Sequence, residues 1–169
     1  MKKTVLKYGL YGALTICFLF LISWFLLNGL SYDLQEVIGY AGMILSLSFV
    51  YFGIRHYRNQ ENGGKVSFKK ALMIGVLISL ITALAFAILD VIYVEYLNPS
   101  FMDDYYAHAV EKMRTTLTEE EFEVKLTEMN AEKDLFTSPI VTFLVMGMTV
   151  FIIGFIISLI SALTLQSKE

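Results

Sequence analysis

The chain alternates long apolar stretches with short polar ones. Uncharged apolar runs cover Tyr8–Leu30, Val37–Ile54, Ala71–Leu89 and Ser138–Ser167. A helix of about 20 apolar residues crosses the hydrocarbon core of a bilayer, and the second run is just long enough. The pattern predicts an all-α integral membrane four-helix bundle. Its spans are expected over about residues 8–30, 37–54, 71–94 and 139–165, in a single membrane domain 1–169. The third polar interval, 96–137, is long and has its own period. Met102, Tyr106, Ala109, Met113 and Leu117 recur three and four apart, and Phe122, Leu126 and Met129 continue a shorter stripe. Two short amphipathic helices follow, about Ser100–Thr116 and Glu119–Lys133, forming an extracytoplasmic helical hairpin between the third and fourth spans. The simplest partner for each stripe is the other. Ser100 with Asp103, and Thr118 with Glu121, have the spacing of capping boxes, and Pro139 suits the first turn of the last helix.

Composition agrees: 56% of residues are hydrophobic and 17% charged, which suits a membrane protein and not a soluble globule. The charges are sorted by side. Lys2, Lys3 and Lys7 precede the first span. Arg55, Arg58, Lys65, Lys69 and Lys70, against Glu61, lie between the second and third, and Lys168 with Glu169 ends the chain. The loop between the first two spans carries Asp33 and Glu36. Basic residues near helix ends are retained on the cytoplasmic side, so both termini are expected to be cytoplasmic. Segment 96–137 then lies outside. It is acidic, with Asp103, Asp104, Glu111, Glu119, Glu120, Glu121, Glu123, Glu128, Glu132 and Asp134 against Lys112, Arg114, Lys125 and Lys133. Such a surface disfavours nucleic acid and anionic lipid. The N-terminal lysines and apolar run resemble the first half of a signal peptide. The run is too long, however, and no small-x-small site follows Leu30, so it reads as a retained helix. Cys17, the single cysteine, reads as a small packing residue.

Small residues mark the packing faces. Ala71, Gly75, Ser79, Ala83 and Ala87 are all four apart on the third span. Shorter versions of such a face occur at Gly147, Gly154, Ser158 and Ala162 on the fourth, at Gly9, Ala13 and Cys17 on the first, and at Gly39, Gly42, Ser46 and Gly53 on the second. Close backbone approach at such faces drives helix association in lipid. Larger side chains, Phe86 among them, are left for lipid and for interstices. Asp90 is the ionisable residue within a span. It falls within about 20° of Ser79 and Ala83 around the helix, so it points into the bundle. Two readings stay open: an acid near the outer interface bonded to hydroxyls such as Tyr93, or a proton or cation site. Asp104, His108 and Glu111 share a face, but one histidine among solvated carboxylates is a surface cluster more readily than a metal site. No metal or cofactor is expected. No catalytic motif is present, and His56 and His108 fall on opposite sides of the membrane, so enzymatic activity is not expected.

The loop before the third span is the most motif-like stretch: Tyr57-Arg58, then Asn62-Gly63-Gly64, Ser67-Phe68, Ala71 and Gly75. Asn62-Gly63-Gly64 is a turn signal, Ser67 a candidate N-cap, and Phe68 an interfacial anchor. This run resembles the signature of small four-helix membrane proteins grouped as domain of unknown function 4199, typical of Bacteroidetes, and the resemblance extends over nearly the whole chain. It implies a bacterial inner-membrane location with the outer segment in the periplasm, and it carries no activity to transfer. Two functions are therefore weighed. One is a structural or protein-interaction component, with the bilayer as its medium, a protein partner on the acidic outer helices, and self-association left open. The other is a subunit of a small transporter or channel using Asp90.

Overall fold

The computed structural model describes residues 1–27, 29–136 and 138–167. Asn28, Thr137, Lys168 and Glu169, used above for span limits and tail charge, lie outside the described residues, as do the side chains of Glu132, Lys133 and Asp134 counted in the acidic segment. Among the described residues six α-helices follow one another: α1 (Lys2–Leu27), α2 (Tyr32–His56), α3 (Phe68–Ile92), α4 (Phe101–Thr116), α5 (Glu119–Phe136) and α6 (Pro139–Leu165). Wider π-helical turns, Tyr57–Glu61 and Tyr93–Leu97, extend α2 and α3. No strand occurs among the described residues. Four helices are long and apolar enough to cross a membrane: α1, α6, and α2 and α3 with their π turns.

The helices overrun the apolar runs. α1 begins at Lys2, because nothing in Lys2–Lys7 breaks a helix and lysine stems can lie along apolar surface with their heads in water. α2 begins at Tyr32. Ser31 is extended (φ −60°, ψ 149°), its carbonyl accepts from Leu34 and Gln35 N–H (both 3.0 Å), and Asp33 complements the first turn. Pro139 opens α6 as its missing N–H permits.

The chain forms two compact units. The first comprises Met1–Phe86 and Met146–Glu169, the second Ala87–Val145. In the first, α3 is the element that the other three helices share. Gly9 of α1 abuts Ile81, and Gly12 abuts Thr82. Gly53 of α2 abuts Ile78. At Gly75 and Gly154, Ser158 of α6 and Ser79 of α3 fill the space where a side chain would stand. Close approach at small residues is what holds apolar helices together where lipid is as apolar as they are. Leu47, Val50, Ile54, Ile74, Ile78 and Val150 fill the remaining core and are wholly buried. Four core hydroxyls bond back to the carbonyl four residues earlier: Ser46 to Gly42 (2.8 Å), Ser79 to Gly75 (3.0 Å), Thr82 to Ile78 (3.1 Å) and Ser158 to Gly154 (2.6 Å). Phe86 fills an interstice of the bundle. It is not left to lipid but is 5% exposed, edge-to-face with Phe20 of α1 at 5.6 Å between ring centres. Cys17 is half-buried, as a packing residue would be.

In the second unit, α4 and α5 meet as a hairpin. The Tyr106 hydroxyl donates to Asn130 Oδ1, and the Arg114 guanidinium lies 5.4 Å from the centre of the Phe122 ring. Phe122 is buried. Thr118 and Glu121 form the expected capping box: Glu121 Oε2 accepts from the Thr118 N–H (3.1 Å) and hydroxyl (2.8 Å). The box expected at Ser100 and Asp103 does not form. Ser100 is helical (φ −81°, ψ −9°), and its hydroxyl donates to Asp104 Oδ2 (3.0 Å) and Asn98 Oδ1 (3.3 Å). An aspartate at the third helical position is one methylene shorter than the glutamate the box requires.

Candidate functional site

The motif residues of the loop build a clasp inside the first unit. The Gly64 N–H closes the π turn onto Arg58 O (2.8 Å), and Asn62 Nδ2 donates to Lys65 O (2.6 Å). Gly63 (φ 60°) and Gly64 (φ 82°) occupy the left-handed region, which only glycine enters without strain. The Tyr57 ring is buried beneath, its hydroxyl 3.5 Å from Asn62 Oδ1. The loop then reaches outward in two directions. The Arg58 guanidinium donates to Leu165 O (3.3 Å), while Val66 and Ser167 exchange two bonds: Val66 N–H to Ser167 Oγ (2.9 Å) and Ser167 N–H to Val66 O (2.8 Å). On the other flank Glu61 accepts from the Thr4 hydroxyl and the Met1 ammonium. One loop thus joins the start of α1, the end of α2, the start of α3 and the end of α6. Ser67 stands at the N-cap position through its carbonyl, which accepts from Ala71 N–H (2.9 Å). Phe68 packs half-buried against the core. Sequence reasoning found the turn and missed the ties to α1 and α6, because partners 57 to 107 residues apart leave no local signal.

Ala71, Gly75, Ser79 and Ala83 are buried in the first unit with Gly154 and Ser158, and Gly147 is half-buried. Ala87 is buried in the second unit. Gly39 of α2 is the exception, exposed with nothing within 4 Å of where a Cβ would stand.

Asp90 lies in the second unit, near the end of α3, and is 5% exposed. Its Oδ2 is shielded from solvent and meets no hydrogen-bond partner among the described residues. The expected bond to Tyr93 is not made; the Tyr93 hydroxyl instead accepts from Asn98 Nδ2 at 2.8 Å. Nor does Asp90 line the open apolar groove of this unit, formed by Ile88, Val91, Ile92, Pro139, Ile140 and Phe143. Those α3 positions stand about 100–200° around the helix from it. A buried oxygen without a donor costs about 1–3 kcal/mol, so this carboxyl is held at the expense of stability.

Asp104, His108 and Glu111 are not gathered into a site. Asp104 is occupied by Ser100, and no group of three potential ligands occurs among the described residues. The acids of α4 and α5 from Asp103 to Glu128 are exposed. At the capping box, the Thr118 N–H and hydroxyl hold the Glu121 carboxyl below the ordinary glutamate range.

A family model described as "Protein of unknown function (DUF4199)" matches residues 7–167. No curated protein and no solved structure matches the chain.

Proposed function

The chain belongs to the DUF4199 family, and on that footing we propose that it is a structural or protein-interaction component of a membrane, a fixed four-helix scaffold presenting the α4–α5 hairpin to a protein partner. The observation that carries this reading is the state of the hairpin. Its apolar and polar inner contacts are made within itself, through Tyr106–Asn130 and Arg114–Phe122, while Asp103, Asp104, Glu111, Glu119, Glu120, Glu123 and Glu128 face solvent. A folded acidic surface favours a basic partner and repels anionic lipid. Crosslinking and affinity purification from native membranes should recover a stoichiometric partner. The triple change Glu119→Gln, Glu120→Gln, Glu123→Gln should release it. Recovery of the chain with itself alone, or a partner indifferent to those changes, overturns the reading.

The proposed setting is a bacterial inner membrane, with both termini cytoplasmic and the hairpin periplasmic. The clasp supports it by bringing Met1, Thr4, the basic loop and Ser167 to one end of the first unit, so the retained charges lie together. Cysteines placed at Ser100 or Glu120 should label from outside intact cells, and one at Asn62 should not; the reverse pattern ends this orientation.

The orphaned Oδ2 of Asp90 favours a second reading, a proton or cation site in a small transporter or channel. Asp90→Asn should then abolish a pH-dependent flux in liposomes while the fold persists. Equal flux in both proteins removes this reading.

A further inference from the structure

At the clasp end of the first unit, the α1–α2 surface holds a cluster that packing alone does not require. The Lys7 ammonium lies over two tyrosine rings at once, 5.8 Å from the centre of Tyr8 and 5.9 Å from that of Tyr11. Tyr8 also meets His56 of α2 at 5.5 Å, and Tyr11 meets Phe49 at 5.7 Å, so the aromatic surface is continuous across the two helices. Lys7 and Tyr11 are exposed. Glu61, the acid of the adjoining loop, is engaged by Thr4 and the Met1 ammonium, and among the described residues no carboxylate pairs with Lys7. From this head, two apolar stripes descend the same faces. Tyr11, Leu14 and Phe18 run along α1, with Leu14 and Phe18 68% and 63% exposed; Phe52, Phe49 and Leu45 run along α2. Each stripe has the three- and four-residue spacing that keeps it on one side of its helix.

We propose that this cluster is a binding site for one acidic glycerophospholipid. Its phosphate would be met by Lys7 and His56 and bordered by the Tyr8 and Tyr11 rings, with an acyl chain between the two stripes. The chemistry fits on three counts. A cation held over aromatic faces is fixed in direction at little entropic cost and keeps its charge outward. Tyrosine is amphipathic and suited to the headgroup level. The stripes are too exposed to be core and lie where helices long enough to cross a bilayer meet acyl chains. The site is independent of any partner on the α4–α5 hairpin.

The test uses the full chain reconstituted in phosphatidylcholine vesicles containing a minor share of phosphatidylglycerol. Native mass spectrometry after extraction counts retained lipids. The wild type should retain one phosphatidylglycerol in preference to phosphatidylcholine. Lys7→Gln should lower that preference about fivefold, the effect of one basic residue near an anionic surface. Lys69→Gln, an exposed lysine at the start of α3, should leave it unchanged. Tyr11→Leu, which keeps the charge and the apolar bulk, should lower it by less than Lys7→Gln, with helicity confirming the fold of each variant. Equal retention by wild type and Lys7→Gln overturns the proposal. So does an equal loss in Lys69→Gln, which would mean a diffuse charge effect. Displacement of the lipid by inorganic phosphate overturns it as well, since the site would then read a free anion.

Discussion

Replacing Gly75 by alanine adds one carbon where α3 packs tightly against α6. That Cβ would stand 2.7 Å from Ser158 Oγ, 2.8 Å from Ser158 Cβ and 3.1 Å from Val50 Cγ1. Non-bonded carbons settle at about 3.5–4.0 Å, so α6 must withdraw by roughly 1 Å. The serine Cβ is fixed to its backbone and cannot swing aside as a longer side chain would. Overpacking of this kind costs about 1–3 kcal/mol. The better helix propensity of alanine returns about 0.5–1 kcal/mol. The net expectation is a loss of about 1–2 kcal/mol. Gly39→Ala is the control: nothing lies within 4 Å of the added carbon, so only the propensity gain remains. Ser158→Gly in the Gly75→Ala background removes the clash and should recover about 1 kcal/mol, visible as a coupling energy in a double-mutant cycle. Unfolding in mixed micelles titrated with dodecyl sulfate, followed by far-ultraviolet circular dichroism, measures all five proteins, the single variant Ser158→Gly included. The reasoning fails if Gly75→Ala and Gly39→Ala unfold together, or if the cycle shows no coupling.

Phe86→Leu should destabilise the bundle by about 1 kcal/mol through loss of the edge-to-face contact with Phe20, whereas Leu84→Ala, on the exposed side of α3, should change the same unfolding curve less. Gly64→Ala should cost about 1–2 kcal/mol because φ 82° strains any side chain, and hydrogen exchange should report the loss at the Gly64 and Val66 amides first. The Glu121 carboxyl is held below its ordinary value by Thr118, so its contribution is present above the unfolded pKa of about 4.3 and is lost as pH falls through the lower folded value. Amide exchange at the start of α5 should therefore rise with acid below that window, and Glu121→Gln should remove the dependence. A wild-type helix end indifferent to acid would contradict the cap.

How much of this was legible depended on how far each determinant reached along the chain. Helix number followed from the length of the apolar runs, and the α3 ladder from spacing within a single helix. Thr118 and Glu121 were readable as a cap because the whole device spans four residues. The two π turns were not, since a wider turn changes hydrogen bonding without a compositional mark. Residue size alone did not decide which large side chains go to lipid and which to interstices; for Phe86 the neighbouring ring of Phe20 decides it, from another helix. The Val66–Ser167 exchange, the Arg58–Leu165 bond and the missing partner of Asp90 are all facts of tertiary placement. What each candidate residue touches came from the fold.

The hydroxyls buried in the first unit carry a consequence for how the protein reaches its membrane. Ser46, Ser79, Thr82 and Ser158 each direct their proton to a carbonyl of their own helix. A single helix entering hydrocarbon alone therefore already has these donors satisfied, since the bond needs no neighbour. Insertion and assembly are separable for this bundle. Each span can cross the bilayer as a finished unit, and association then selects among finished units by the fit of Gly75 against Ser158 and of Gly154 against Ser79. The serine pair, with its oxygens 3.2 Å apart, acts as a gauge of helix spacing, and the order in which the helices arrive leaves none of these four hydroxyls unsatisfied in lipid.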